Sequence, residues 1–294
     1  PNAMVQVSPV TKFHSGAGYQ YEDSVIYGFT HTNKGHWNLC HIPLLPVTGT
    51  PTPGDYCSPF SHERESAAPG YYQVFLDRYG VDAQLSSTLR CAFHKYTYPA
   101  GAAASLLADL QRSNEHVRAW DIRKEGDNVF AGWQQTGEKM YFYAVANRPV
   151  TGIEPVVEGD REVRIVRFGE GDGALELRIG FSFVSEKNAR ENLEAEMLGK
   201  SFAEVRSEAT ATWNDLLGRI RVEGGTEREK GLFYSSLYRS FLWPALRSDV
   251  NGEFTDVDGK VINPGFRYYT GPSYWDDYRN KLILLGMLAP DVAA

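Results

Sequence analysis

Apolar and polar residues alternate along most of residues 5–184, and the alternation is that of half-buried strands. In REVRIVRF (161–168), Val163, Ile165 and Phe168 oppose Arg161, Arg164 and Arg167. The same reading applies to YYQVFLDRY (71–79), LSSTLRCAFHKYTY (85–98), KMYFYAVAN (139–147) and ALELRIGFSFV (174–184). Turn residues separate the runs, at Gly16 to Gly18, Pro69-Gly70, Gly126 to Asn128 and Gly171 to Gly173. Many strands with no helix between them predict a large antiparallel β-sandwich, so the fold class is mainly β.

The period changes after residue 184. Residues 185–198 read as helix. Residues 201–220 form an amphipathic helix with a capping box of Ser201 and Glu204 and an apolar stripe of Phe202, Val205, Ala209, Trp213, Leu216, Leu217 and Ile220. A third helix starts at Thr226, with Glu229 closing a second capping box, and runs to about Trp243, where Pro244 stops it. Asn251-Gly252 and Asp258-Gly259 predict tight turns. A fourth helix is expected from Ser273 through LILLGML to Pro290. The domains expected are a sandwich at 5–184, a helical linker at 185–224 and a second, helical domain from 225. Helices three and four are strongly apolar and cannot bury each other well. Either the natural protein continues or they lie on the sandwich.

Composition narrows the function. The 294 residues are 42% hydrophobic, with 17 Tyr and 6 Trp, which suits a β-rich fold and also carbohydrate recognition on flat rings. The net charge is −7 with no basic run, which argues against a nucleic-acid partner. No apolar stretch is long enough for a membrane span. Cys40, Cys57 and Cys91 are odd in number and scattered, so free buried thiols are expected over a disulfide framework. The opening PNAM reads as an expression scar or as a chain begun after processing, so the missing signal peptide says little about compartment.

Three stretches carry candidate chemistry. In GPSYWDDYR (271–279), Ser273 is a good N-cap, and Asp276 and Asp277 fall in the first helical turn, where the helix dipole favours carboxylates. The plain reading is two capping acids and a buried Trp. The functional one is a sugar ring held against Trp275, its hydroxyls gripped by Asp276 and Arg279, three residues apart on one face. In HTNKGHWNLCHIPLLPVTG (31–49), His31, His36 and His41 recur every five residues, which fits no usual zinc spacing, and no metal site is assigned. This stretch reads instead as a loop presenting His31 and Trp37 at one end of the sandwich, or packing Trp37 into an interdomain contact. In SPFSHERESAAPGYY (58–72), His62, Glu63, Arg64 and Glu65 read as a solvated turn. No nucleophile elbow, P-loop or dinucleotide fingerprint occurs.

Several segments together resemble glycoside hydrolase family 92, the calcium-dependent exo-α-mannosidases. They are YGFTHT (27–32), LLPVTG (44–49), FSHERESAAPGYYQVFL (60–76), LRCAFHKYTYP (89–99), FVSEKNARENLEAEM (183–197), ATWNDLLGRIRVEG (211–224), FYSSLYRSFLWPALRSDVNGEF (233–254) and SYWDDYR (273–279). The resemblance implies a β-sandwich, a helical linker and the start of an (α/α)6 barrel. It implies inverting hydrolysis of a mannose-containing glycan, with the catalytic acid and base and most calcium ligands beyond residue 294. It implies a secreted, periplasmic or cell-surface protein. By the same resemblance His31 and Trp37 would belong to the active-site loop, while Asp276 and Arg279 would hold the terminal mannose beside Trp275. The sequence departs from the family where Cys40-His41 stands in place of the usual Gly-Asp. A non-catalytic carbohydrate-binding sandwich and a purely structural domain are the competing readings.

Overall fold

The structure, a computed structural model, describes residues 1–34, 37–270 and 274–293. Alternating sequence becomes alternating burial. In the strand Lys139–Ala146, Met140, Phe142, Ala144 and Ala146 are buried and the residues between them only half-buried. Two antiparallel sheets result. One runs Ser8–Val10, Gly28–Thr30, Leu44–Val47, Ser105–Ala108, Arg161–Phe168, Val150–Glu158 in spatial order. The other runs from Ala119–Gly126 through Val129–Gln135, Lys139–Ala146, Leu175–Ser182, Cys91–Thr97, Val81–Ser87 and Tyr71–Leu76 to Glu65–Ala68. Their inner faces, with Phe29, Leu106 and Val166 on one and Leu85, Phe142 and Phe181 on the other, share one apolar cluster. This is the expected sandwich, followed by helices.

The run 85–98 is two strands. A turn closed by Thr88 N donating to Cys91 O (2.9 Å) divides Val81–Ser87 from Cys91–Thr97. Periodicity alone could not show this, because Leu85 and Phe93 are apolar on both sides of the turn.

Beyond the sandwich come α1 (Glu186–Glu196), α2 (Phe202–Leu217) and α3 (Glu227–Ser240). Both capping boxes form: Ser201 with Glu204, and Thr226 with Glu229. α2 bridges two apolar clusters. Phe202 and Val205 meet Tyr71 and Phe93 of the long sheet, whereas Trp213 and Leu216 meet Leu237 and Phe241 at α3. α3 ends at Ser240, short of Trp243. Asp258-Gly259 sits in the turn between the short strands Phe254–Thr255 and Val261–Ile262; Asn251-Gly252 closes a turn on Asp249 instead.

The expected fourth helix is broken into three: α4 (Tyr274–Asp277), α5 (Lys281–Leu288) and α6 (Pro290–Ala293). Asn280 begins α5 with no side-chain cap bond, and Pro290 cannot continue it. The Ser273 cap lies outside the described residues. The three cysteines are free, Cys40 and Cys91 buried and Cys57 half-buried.

Candidate functional site

The stretch around Trp37 folds as a small β-hairpin, Asn33–Lys34 pairing with Trp37–Asn38. His36 lies outside the described residues. Trp37 is 51% exposed, and its ring lies over Gly16, whose carbonyl accepts from Asn38 N at 2.7 Å. Gly16 has φ +73°, the left-handed region that favours glycine. Asn38 anchors the hairpin base. Its Nδ2 donates to Ser8 Oγ (2.8 Å), and its Oδ1 accepts from Cys40 N (2.8 Å). Cys40 and Ile42 have φ +54° and +53°, so the backbone keeps at Cys40 the left-handed conformation that a glycine takes without strain.

His31 is not on this surface. It is wholly buried, and its ring centroid lies 4.6 Å from that of Phe181. Its Nδ1 sits 3.4 Å from the His41 carbonyl and its Nε2 3.2 Å from His94 Nε2. A carbonyl only accepts, so His31 Nδ1 carries the hydrogen and its Nε2 accepts from His94 Nε2. His94 Nδ1 then accepts from Tyr96 Oη at 2.6 Å. Both imidazoles are neutral. Burial pushes His31 down to about 3, and burial likewise holds His94 well below the usual histidine range. The expectation that His31 presents its ring to a ligand is therefore corrected. An apolar wall on one side and two spent nitrogens make it a core residue beneath the hairpin. His41 is also buried, its ring held by Thr32, Glu115 and Thr136.

In α4, Trp275 is 84% exposed, not buried as the plain reading of the sequence had it. Arg279 is exposed just beyond α4, its Nε donating to Tyr278 Oη at 3.0 Å. The Asp276 side chain lies outside what the structure describes. Its neighbour Asp277 is buried, with Oδ1 3.1 Å from Lys281 Nζ and Oδ2 without a partner.

The N-terminal strap, residues 2–8, ties the chain after α3 to the backbone at His31. Asn2 N donates to Phe241 O (2.6 Å), Asn2 Nδ2 to Pro244 O (2.8 Å), and Leu246 N to Asn2 O (3.0 Å). Thr270 N, just ahead of α4, donates to Ala245 O (2.8 Å). At the strap's other end Gln6 N donates to His31 O (2.9 Å).

Sequence reasoning missed two further clusters. Glu65, read as solvated, accepts from Tyr19 Oη (3.0 Å), Tyr72 Oη (2.6 Å) and His62 Nδ1 (2.6 Å), and this bond to Glu65 raises the His62 pKa. These residues line a cavity of about 1100 Å³ between the strap, the Glu65–Ala68 edge and α2. Neither Trp37 nor Trp275 reaches it, and the Glu65–His62 bonds are satisfied internally. The other cluster is at Asp249, whose carboxylate accepts from Ser182 Oγ (2.6 Å), Asn188 Nδ2 (2.8 Å) and Asn192 Nδ2 (2.7 Å), fixing the last strand and α1 to the chain after α3. Short-range spacing gives no hint of either cluster, since Glu65 draws Tyr19 from 46 positions away and Asp249 draws Ser182 from 67.

Calcium takes six to eight oxygens. Among the described residues there is no group of three or more His, Cys, Asp or Glu that could hold a metal ion.

The glycosyl hydrolase family 92 N-terminal domain model matches residues 1–192, and the family 92 catalytic domain model matches residues 188–294. A family GH92 α-mannosidase of Bacteroides thetaiotaomicron superposes over 99% of this chain and 45% of its own, with 26% identity and a TM-score of 0.92. That enzyme is also solved with mannoimidazole, at 26% identity and a TM-score of 0.91 over 99% of this chain and 44% of that one. A GH92 inverting mannosidase of the same organism shares the fold, with 24% identity and a TM-score of 0.84 over 99% of this chain and 43% of its own. An uncharacterized secreted glycosidase of Arthroderma benhamiae is 24% identical over 84% of this chain and 38% of its own length. The chain spans less than half the length of each of these relatives.

Proposed function

The chain belongs to glycosyl hydrolase family 92, and from that premise we propose that it is the N-terminal part of a secreted, inverting exo-α-mannosidase acting on mannose-containing glycans. The observation that carries the reading is the superposition of nearly the whole chain on a family GH92 α-mannosidase at a TM-score of 0.92. We divide it into a sandwich at 5–184, a linker at 185–224 and the first helices of an (α/α)6 barrel from 225.

In this reading the sugar lies between the hairpin and α4. The exposed indoles of Trp37 and Trp275 offer apolar faces to the C–H side of a pyranose. Arg279 donates to its hydroxyls, and Asp276 accepts from them. The inverting reaction needs one carboxylic acid to protonate the departing oxygen and one carboxylate to activate a water, about 6.5–9.5 Å apart. We place that pair, and most of the calcium ligands, in the longer protein outside residues 1–294.

The test is hydrolysis of an aryl α-mannoside by the complete natural protein and by residues 1–294. Turnover by the former alone is expected. Comparable turnover by residues 1–294 overturns the placement of the acid and base. Loss of turnover on replacing Asp276 by Asn in the complete protein is expected as well, and unchanged kinetics remove Asp276 from the pocket.

A further inference from the structure

The two lips stand on different parts of the chain, yet one side chain touches the support of both. Gln6 Nε2 donates to Leu242 O at 2.6 Å, two residues past the end of α3. Gln6 Oε1 accepts from Asn33 Nδ2 at 3.1 Å, at the base of the Trp37 hairpin. Its backbone N donates to His31 O, so the residue cannot slide along the strap without breaking that bond. The amide is the right group for this place. One end must donate to a carbonyl and the other must accept from an amide, and no carboxylate or ammonium does both. The strap's far end is fixed independently by Asn2.

We infer that Gln6 is a positioning residue of the sugar pocket, setting the separation between the Trp37 hairpin and the end of α3 that leads to Trp275. The inference rests on the pocket proposed above. Gln6 itself touches no substrate. It acts through Trp37, by removing the freedom of one lip relative to the other, and small misplacements of binding groups are costly.

The experiment uses the complete natural protein and an aryl α-mannoside. Gln6→Met keeps the side-chain volume and cuts both bonds. Its KM is expected to rise about 5- to 10-fold with kcat within about twofold of the parent. Trp37→Ala is expected to raise KM about 10-fold, and adding Gln6→Met to it is expected to raise KM no further, because two residues acting as one unit are non-additive. A residue that only stabilises the fold would lower the denaturation midpoint and leave KM unmoved. Should Gln6→Met fail to fold, Asn33→Ala cuts the same link from the hairpin side and leaves the Leu242 bond in place. If Trp37→Ala raises KM while neither Gln6→Met nor Asn33→Ala does, or if their effects add, the inference is overturned and the pocket stands. If Trp37→Ala leaves KM unchanged, the pocket itself is wrong and the inference falls with it.

Discussion

Phe142 and Phe181 on the long sheet have no exposed surface, whereas Ile283 and Met287 in α5 are 63% and 74% exposed. The two regions are similarly apolar in sequence, so composition does not explain the difference. Each sheet of the sandwich has its other half in the same 180 residues. The helices share one small cluster, in which Trp213, Leu237, Phe241 and Leu285 meet, and turn their remaining apolar surface outward. The lesson is that the sandwich is a finished unit, while the helical region is shaped to carry a further layer. The proposed pocket sits where the finished part meets the other.

The comparison breaks if the sandwich core is not cooperative. Phe181→Ala is expected to cost about 3–5 kcal/mol in urea unfolding of residues 1–294, from lost burial and the cavity left beside His31. A loss below about 1 kcal/mol would mean that the inner faces are not packed as described.

A second variant sharpens the boundary between the regions. Asp249→Asn places an amide donor among the donors of Ser182, Asn188 and Asn192. A loss of about 2–4 kcal/mol is expected, in the range for a buried charged acceptor losing its partners. Burial pushes the Asp249 carboxyl above its usual range, and the three donors oppose that rise without cancelling it. Asp249→Asn changing the unfolding free energy by less than about 0.5 kcal/mol would show that the regions are joined elsewhere.

Acid probes the buried imidazoles of the sandwich. His31 and His94 have folded pKa values depressed below the unfolded value of 6.5, and His31 falls to about 3. Their unfolded forms bind more protons, so the stability they contribute is complete above pH 6.5 and is lost as pH falls from there toward 3. The slope is roughly 1.4 kcal/mol per pH unit for each imidazole. Urea midpoints between pH 7 and pH 5 should fall accordingly, and His94→Gln should make the fall shallower. An unchanged profile in His94→Gln would assign the acid limb to other groups.

What could be read in the sequence follows the range of the interactions. Strand alternation, both capping boxes and the stripe on α2 depend on residues within a few positions of each other, and they appear in the structure, though α2 stops at Leu217 and leaves Ile220 beyond it. His31 misled because its neighbours in sequence are polar, while those that bury it, His94 and Phe181, come from strands 63 and 150 positions away. Glu65 and Asp249 were opaque for the same reason. The break between α4 and α5 was hidden because LILLGML is apolar enough to prolong any helix pattern across Tyr278 to Asn280.

The smallest expected effect is the most direct probe of the unfinished region. Ile283 and Leu285 lie two positions apart in α5, the first 63% and the second 2% exposed. In residues 1–294, Leu285→Ala should cost about 2–5 kcal/mol through the cavity it leaves against Trp213 and Phe241. Ile283→Ala should cost less than about 0.5 kcal/mol, because little surface changes hands and Ala is the better helix former. Equal costs would mean that the outward face of α5 is already covered within this chain. In the complete protein the Ile283→Ala cost should climb to that of a buried site if a further helical layer closes over α5, and a cost still below about 0.5 kcal/mol there would leave that face open to solvent and remove the reason for a layer at this position.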